Sequence, residues 1–469
     1  MRRRALGWAF AALAGAAVGV SLLAVALLVL FTALQAGPIT AMRAVAEAGI
    51  SLSLRSLEIP GTREALTYVQ IVQVAAGSPA ASLGMARGDA LVAVAGTGVD
   101  RPSRAWEAVG RAPGGRSVTL PVVWLPRAEV TLGGLRMESR NGETRVVLAS
   151  PSAAAREAGL QPGDALLAVG GIPILGTRQA WEALAVAART HGVPVELVLE
   201  RESERLTLFW DPTRQAELTF VRDPLRAWWS FLTTLNEPRY PERAGLLPAF
   251  LGSVYVVLVM AVVALPLGIA GAVYLEEYAP QNFFTRAMEV LVANLAGIPS
   301  AVVGIIGLEV FARALGAGRS VLAGGLTLAV LILPIVIVAS REALRTVPRT
   351  LREAAFALGA TRWETVRYHV LPYAFPAILT GTILSFSRAL GEAAPLLFLG
   401  AFLFVTYVPQ GLMDSFTVVP LQIFEWATRP QDGFAAVAAA AIVVLLSLLL
   451  LLNAGAILLR NRLQRRWSE

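Results

Sequence analysis

The chain has 469 residues, of which 56% are hydrophobic and only 16% are charged, and its formal net charge is +7. Soluble domains carry about 25% charged residues, so this composition predicts a membrane protein, with enough length for water-soluble domains as well. There is no cysteine, and the two histidines, His191 and His369, are far apart, which argues against disulfides and metal sites. All 40 basic residues are arginine, which excludes a phosphate-binding loop that needs lysine. We therefore expect no metal, no cofactor and no catalytic residues.

The N-terminus predicts a membrane anchor. Three arginines precede an apolar run over residues 5–34. A cleaved signal peptide has an apolar core of about 7–15 residues, whereas a span needs about 20, so the length favours a retained first helix at 1–36 over cleavage. Five further apolar segments predict spans 2 to 6, at 249–275, 287–313, 321–340, 374–402 and 434–459.

The distribution of arginine predicts the orientation of the chain. Arginines cluster at the N-terminus, in the 341–367 loop and at 460–466, whereas 403–432 holds only Arg429. Cytoplasmic loops are enriched in arginine, so we expect both termini inside and residues 37–247 outside a cell inner (plasma) membrane. This membrane interpretation also accounts for the positive charge without a nucleic-acid partner.

The large loop between spans 1 and 2 contains a repeat. The string SPAASLGMARGD at 78–89 is matched by SPSAAAREAGLQPGD at 150–164, and AWEA at 105–108 recurs at 180–183. The Gly-Asp pairs lie 75 residues apart, which indicates a duplicated domain rather than a solenoid. In each copy we expect a short helix ended by a left-handed glycine, a turn at Gly-Asp, a buried strand and an amphipathic helix.

The repeat resembles the PDZ domains of bacterial envelope proteins, at 50–125 and 130–210, with a linker and interfacial segment at 211–247. The resemblance implies that a peptide or partner protein binds along a sheet edge, its terminal carboxylate held by a glycine-containing loop. In the second copy that loop falls on Gly133, Gly134 and Leu135, whereas residues 52–54 of the first copy lack glycine. Both copies could also be spacers.

The cytoplasmic loop carries REAAFALGATRW at 352–363, followed by Leu-Pro at 371–372. This segment resembles the "EAA" loop of ABC-importer permeases. Glu353, Ala354 and Ala355 are expected to start a short helix with a small-residue face, and Gly359 to let the backbone turn into the next helix. The resemblance implies that this element fits a cleft of a separate ATPase and moves with it.

Two charges are expected inside the fifth span. Arg388 and Glu392 are four residues apart, so we expect them to share a helix face. Arg388 follows Pro372 by 16 residues, about 24 Å of helix, which places it beyond the midplane toward the outside. Intramembrane charges usually serve a transport route, and a guanidinium suits an oxyanion. A purely structural ion pair is the alternative.

The third span is expected to be interrupted at 297–300, where the chain reads Gly-Ile-Pro-Ser. A broken helix can present its positive end to an anion, so Gly297, Pro299 and Ser300 are candidates for the substrate path. A plain kink at the proline is an equally good interpretation.

Three strings together resemble the phosphate ABC-transporter permease of the PstA type: YLEEY at 274–278, GIPS at 297–300 and RALGEAAPLL at 388–397. Ala393 stands where that family usually has threonine, and the family usually has a short loop in place of the insert. The resemblance implies a heterodimer with a second permease subunit, two ATPase subunits and an extracytoplasmic phosphate-binding protein, within membrane lipid.

The expected fold is mainly α: a six-span helical permease domain at 248–460 plus the first helix, with two α+β PDZ-like domains between spans 1 and 2. The expected function is import of inorganic phosphate, with no enzymatic activity in this chain. A permease for sulfate or molybdate and an envelope sensory scaffold are the alternatives. An envelope protease is disfavoured, because neither a His-Glu-x-x-His nor a Gly-x-Ser-x-Gly motif is present.

Overall fold

The computed structural model describes most of the chain beyond the N-terminal segment. The described residues are 29–30, 32–33, 37–58, 65–126, 135–140, 143–149, 153–202, 204–211, 213–280, 282–401 and 405–468. The predicted first span at 1–36 therefore lies almost entirely outside them, as do Gly133 and Gly134.

Four helical segments of the described chain are long and apolar enough to cross a membrane: Leu247–Tyr278, Val321–Arg345, Arg362–Leu390 and Phe434–Gly455. They agree with predicted spans 2, 4 and 6 and overlap predicted span 5 over 374–390, because a run of about 20 apolar residues is a local property that needs no tertiary information. Two further apolar helices, Phe283–Leu295 and Ser300–Ala314, form a pair bent by 100°, where one interrupted span is predicted.

Helix α1 (Ile39–Glu47) precedes the first of two six-stranded sheets. The N-terminal strands and helices of the insert are β1 (Ile50–Glu58), β2 (Ala65–Val74), α2 (Pro79–Ser82), β3 (Ala90–Val94), β4 (Thr97–Gly98), α3 (Pro102–Arg111) and β5 (Ser117–Leu125). Residues 52–54 lie within β1 and do not form a loop, because they are hydrogen-bonded in register with β2.

The second sheet repeats this order. Its elements are β6 (Leu135–Arg140), β7 (Glu143–Leu148), α4 (Ala153–Glu157), β8 (Ala165–Val169), β9 (Ile172–Pro173), α5 (Thr177–Thr190), β10 (Val195–Arg201) and β11 (Glu204–Trp210). The motifs behave alike in both copies. Gly84 and Gly159 end the short helices in left-handed backbone. Asp89 and Asp164 each accept the N–H of the residue three positions earlier, at 2.9 and 2.8 Å, which closes the turn.

The two copies are nested. The second sheet has the strand order β11-β10-β8-β7-β6. The first has the order β1-β2-β3-β5-β12, and its last strand β12 (Arg214–Val221) follows the second copy in sequence. Unit 1 is therefore residues 39–125 together with 214–221, and unit 2 is residues 135–210. The interpretation of 211–247 as a linker needs correction, since β12 completes the first sheet and helix α6 (Pro224–Thr233) follows it.

The remaining helices form the membrane part. They are α7 (Leu247–Val273), α8 (Phe283–Leu295), α9 (Ser300–Gly307), α10 (Val321–Arg345), α11 (Arg349–Ala357), α12 (Arg362–Thr365), α13 (Leu371–Leu390), α14 (Ala394–Leu399), α15 (Val419–Ala427) and α16 (Phe434–Ser468). Wider π-helical turns occupy Tyr274–Tyr278, Leu308–Ala314 and Val366–Val370. Side-chain caps fix several starts, for example Asn282 Oδ1, which accepts the Thr285 N–H at 2.9 Å.

One hydrophobic core joins unit 1 to the membrane part. Its fully buried side chains include Trp124 and Phe220 of the first sheet, Phe231 of α6, Trp426 of α15 and Phe434 at the start of α16. A second core lies between the two units and includes Leu57, Tyr68 and Val92 of unit 1. Unit 1 is thus packed on both sides, against unit 2 and against the membrane helices.

Candidate functional site

Arg388 and Glu392 lie where the apolar helical segment Arg362–Leu390 ends. Arg388 is in the last turn of α13, which stops at Leu390, and Glu392 lies two residues beyond it. The prediction of one continuous span over 374–402 is therefore wrong at this end. The physical reason is local: glycine at 391 is a weak helix former, and the ring of Pro395 cannot continue a helix that starts before it.

The break changes what the two charges can do. Arg388 Nε lies 3.9 Å from Glu392 Oε1, and the arginine side chain is 67% exposed whereas that of Glu392 is 28% exposed. The guanidinium therefore keeps most of its donors free of protein on the described chain. A planar fork of donors held loosely by one carboxylate is suited to bind and release an oxyanion.

Residues 297–300 lie at the 100° turn between α8 and α9. A turn this large is a change of direction and not a kink within one helix. Gly297 and Pro299 are exposed, and Ser300, which begins α9, is half-buried. Helix α9 packs directly on α14: a β-carbon at Gly304 would lie only 2.4 Å from the carbonyl oxygen of Pro395. The helix after the break thus supports the segment that follows Glu392.

Helix α11 presents an exposed surface at the predicted ATPase-coupling loop. Glu353 and Ala354 are exposed, whereas Ala355 is buried against the protein. Gly359 has φ of +84°, so the backbone turns there in the left-handed region as expected. Leu358 is 90% exposed at the tip of the loop, an apolar side chain without cover in the described chain. Large exposed apolar side chains at one place mark surfaces that bind a partner.

Arg352 fixes this loop to the helix that precedes it and to the apolar segment Leu247–Tyr278. Its Nη2 donates to Glu277 Oε1 at 2.7 Å and to the Leu344 carbonyl at 3.1 Å, and its Nη1 donates to the Val347 carbonyl at 2.8 Å. These carbonyls lie at or just after the end of α10, where backbone acceptors lack helical partners. One guanidinium therefore caps α10 and pairs with the end of the Leu247–Tyr278 segment.

A neighbouring ion-pair network extends this contact. Arg341 pairs with Glu289 at 2.7 Å and with Glu276 at 3.4 Å, and Arg345 pairs with Glu276 at 3.1 Å. In the sequence analysis, these arginines only oriented the chain, Glu276 was only part of the YLEEY string, and Glu289 had no role. The partners lie 52 to 69 residues apart in sequence, so no local pattern could have assigned them.

The candidate peptide loop can be followed only in part. Gly133 and Gly134 fall outside the described residues, and Leu135 is the first residue of β6. Strand β6 is an edge of the second sheet, since its sheet partner is β7. An edge strand carries unpaired backbone donors and acceptors, so β6 has the backbone geometry that strand addition requires.

The fold and these features define a class: a membrane permease of ABC importers, with several apolar helices and a β-rich extension. The family described as "Binding-protein-dependent transport system inner membrane component" matches residues 264–466. The "Probable ABC transporter permease protein YqgH" of Bacillus subtilis is 42% identical over 35% of this chain and 55% of its own length, so the chain spans about half of that relative.

Two phosphate permeases are matched over more of their length. "Phosphate transport system permease protein PstA 1" of Mycobacterium tuberculosis is 37% identical over 45% of this chain and 68% of its own length. "Phosphate transport system permease protein PstA" of Xylella fastidiosa is 32% identical over 50% of this chain and 81% of its own length. The chain belongs to this family, as an ABC permease of the PstA type.

Proposed function

We propose that this chain is one permease subunit of an ATP-driven importer of inorganic phosphate. The observation that carries the proposal is the largely exposed Arg388 guanidinium, 3.9 Å from a single carboxylate at the end of a membrane helix. The names of the PstA relatives support phosphate as the substrate. Gly297, Pro299 and Ser300 belong to the same path, because α9 supports the segment after Glu392.

The proposed topology has six spans with both termini in the cytoplasm and both β-rich units outside. The first span at 1–36 and the bent pair each count as one. In the assembled importer a second, related permease subunit completes the path, and an extracytoplasmic binding protein delivers phosphate. Two copies of a separate ATPase bind the loop around Glu353, Ala354, Ala355 and Gly359, whose exposed apolar tip supports this role.

The two β-rich units are proposed to be PDZ-like domains. The repeated motifs and the identical strand orders of the two sheets support a common fold for both units. In unit 2 the open edge of β6, which begins at Leu135, is the proposed site for a peptide or partner protein. The glycines at 133 and 134 are proposed to hold its terminal carboxylate.

The test is uptake of radiolabelled phosphate into cells that lack their own phosphate importer and express this chain with its genomic neighbours. We expect uptake that resists excess sulfate and molybdate and that Arg388→Gln abolishes. Arg313→Gln is the matched control, because Arg313 is also exposed and also pairs with a glutamate four residues away, Glu309. Uptake blocked by sulfate or molybdate would assign another oxyanion, and normal uptake by Arg388→Gln would refute the proposed path.

A further inference from the structure

In unit 1, the groove between β1 and α3 is filled by another part of the chain, helix α1. Helix α1 packs against α3 and β1, and its Val45 lines one small void together with Ile50 of β1 and Val109 of α3. At the β1 edge, the Leu52 N–H donates to Glu242 Oε1 at 3.2 Å. A peptide cannot add to a strand edge whose donor is already bonded and whose groove is occupied. Unit 1 is therefore not available as a peptide receptor in this conformation.

The same unit is joined to the start of the last membrane helix. The Ser103 N–H, in the first turn of α3, donates to Asp432 Oδ2 at 3.0 Å, so a carboxylate 329 residues away caps this helix. The Trp106 ring, which is 2% exposed, lies over Gly433: a β-carbon there would be 2.4 Å from a ring atom. Only glycine permits this contact.

Residues 416–433, which we call the outer segment, connect the contact of Ser103 and Trp106 with Asp432 and Gly433, which we call the joint, to the proposed path. The Val419 N–H donates to Ser253 Oγ of α7 at 2.9 Å. Val418 and Ser253 line the same narrow gap as Glu392 and Ala389. One end of the outer segment therefore touches the surroundings of the proposed anion site, and its other end is held by unit 1.

The middle of the outer segment is a buried polar network. Gln422 donates to Glu425 Oε2 at 2.7 Å, and Asn236 donates to Gln422 at 3.3 Å. Arg429 donates to Glu425 and to the Pro238 carbonyl. Burial raises the pKa of Glu425 despite Arg429. The network therefore joins the outer segment to the 236–238 loop, and a buried network of this kind is stable only when its members keep their partners.

We propose that unit 1 is required for transport, whereas unit 2 can be removed without loss of transport. Trp106 and Asp432 are positioning residues that hold the outer segment against the Arg388–Glu392 site. The inference rests on the proposed function in one respect, that Arg388 and Glu392 lie on the path. It does not depend on which anion is carried.

The nested topology allows the two units to be tested separately. Trp124 of β5 and Arg214 of β12 are direct cross-strand partners, although 90 residues of sequence separate them. Residues 125–213 can therefore be replaced by Asn-Gly, since a two-residue hairpin joins adjacent antiparallel strands. Leu57→Thr and Val92→Thr are added, because both side chains pack against unit 2 and excision would expose them. This excision removes unit 2 and keeps the first sheet except for Leu125, the last residue of β5.

We expect the excision variant to take up the anion within about twofold of wild type per assembled transporter, because the contacts that hold the outer segment all come from unit 1 and the membrane part. Asp432→Ala should reduce the rate per assembled transporter about tenfold, the loss of one charge-assisted hydrogen bond. Asp432→Asn, whose amide oxygen accepts the same N–H, should keep most of the rate. A membrane-inserted excision variant without uptake would overturn the separation of the units. Asp432→Ala that lowers only the amount of transporter, and not the rate per transporter, would overturn the positioning role.

A cross-link provides an independent arm. The chain has no cysteine, so Ser103→Cys with Asp432→Cys introduces the only thiols. The reduced double variant lacks the Asp432 carboxylate and should transport about as slowly as Asp432→Ala. With unit 1 fixed throughout the cycle, a disulfide or a short bifunctional thiol reagent should restore the rate and not block it. A block that reductant reverses would show that the joint opens during transport, against the proposal. ATPase activity of the assembled complex is measured beside uptake. If the wild-type complex takes up no phosphate but the variants still change the ATPase activity of the complex, the result would count against phosphate as the substrate and not against this inference.

Discussion

Neutralising Arg352 tests whether the cytoplasmic loop is fixed to the membrane helices through one side chain. Arg352 and Glu277 are 20% and 11% exposed, so their ion pair lies between a surface pair, worth about 0–1 kcal/mol, and a fully buried pair, whose disruption costs about 3–5 kcal/mol. We expect about 2–3 kcal/mol for Glu277→Gln. Arg352→Gln should cost about 1 kcal/mol more, because it also withdraws donors from the Leu344 and Val347 carbonyls.

The double variant decides whether the two residues interact. Once one partner is neutral, neutralising the other should cost much less. The double variant should therefore lose about 2 kcal/mol less unfolding free energy than the sum of the losses in Arg352→Gln and Glu277→Gln. Unfolding free energies are measured by SDS titration in mixed micelles. Arg345→Gln is the matched control, since Arg345 is 48% exposed and should contribute at most about 1 kcal/mol.

Transport supplies the functional readout. If α11 drives the membrane helices through Arg352, the assembled complex with Arg352→Gln should still hydrolyse ATP but take up less substrate per ATP. Strict additivity of the two single variants, or an unchanged ratio of uptake to hydrolysis, would refute the reasoning.

Three further predictions concern Glu242 at the edge of β1, Gly304 after the 100° turn, and Leu358 at the tip of the cytoplasmic loop. Burial raises the pKa of Glu242 to about 7 from an ordinary 4.5, so the stability that this residue contributes is full below pH 4.5 and falls by about 3 kcal/mol as the pH rises to about 7. Glu242→Gln should make thermal unfolding in detergent less dependent on pH over this range. An equally steep dependence in the variant would contradict the prediction. Gly304→Ala should cost about 1–3 kcal/mol and slow uptake, because its β-carbon would meet the Pro395 backbone at 2.4 Å, whereas Gly271→Ala, which meets only a side chain at 3.6 Å, should do neither. Leu358→Ser should leave the stability of the protein unchanged, since this side chain is 90% exposed, but should weaken binding of the ATPase about 10- to 100-fold in a pull-down titration. Unchanged binding would exclude Leu358 from the interface with the ATPase.

Features that depend on neighbouring residues could be predicted from the sequence. The apolar runs predicted the membrane helices, since a span is defined by its own composition. The left-handed backbone at Gly84, Gly159 and Gly359 agrees with the expectation, because a glycine after a short helix is a local signal. The repeat predicted two similar units, and the two sheets have equivalent strand orders.

The misplaced end of the fifth span is also a local matter, but one in which two signals compete. Residues 374–402 are apolar throughout, and hydropathy alone extends the helix to their end. Gly391 and Pro395 oppose this, and the helix stops at Leu390. Giving more weight to the backbone preferences of these two residues would have placed Glu392 outside the helix.

Sequence by itself determined that this chain is a membrane permease with a duplicated extension, because hydropathy, caps and motifs are read from adjacent residues. Only the tertiary structure decided that β12 completes the first sheet, that Arg352 chooses Glu277, and that Asp432 caps a helix 329 residues away. Strand edges and charges are chemically alike along the chain, with 40 basic and 33 acidic residues available as partners. Which of them meet is fixed by the packing of the whole chain and leaves no local mark in the sequence.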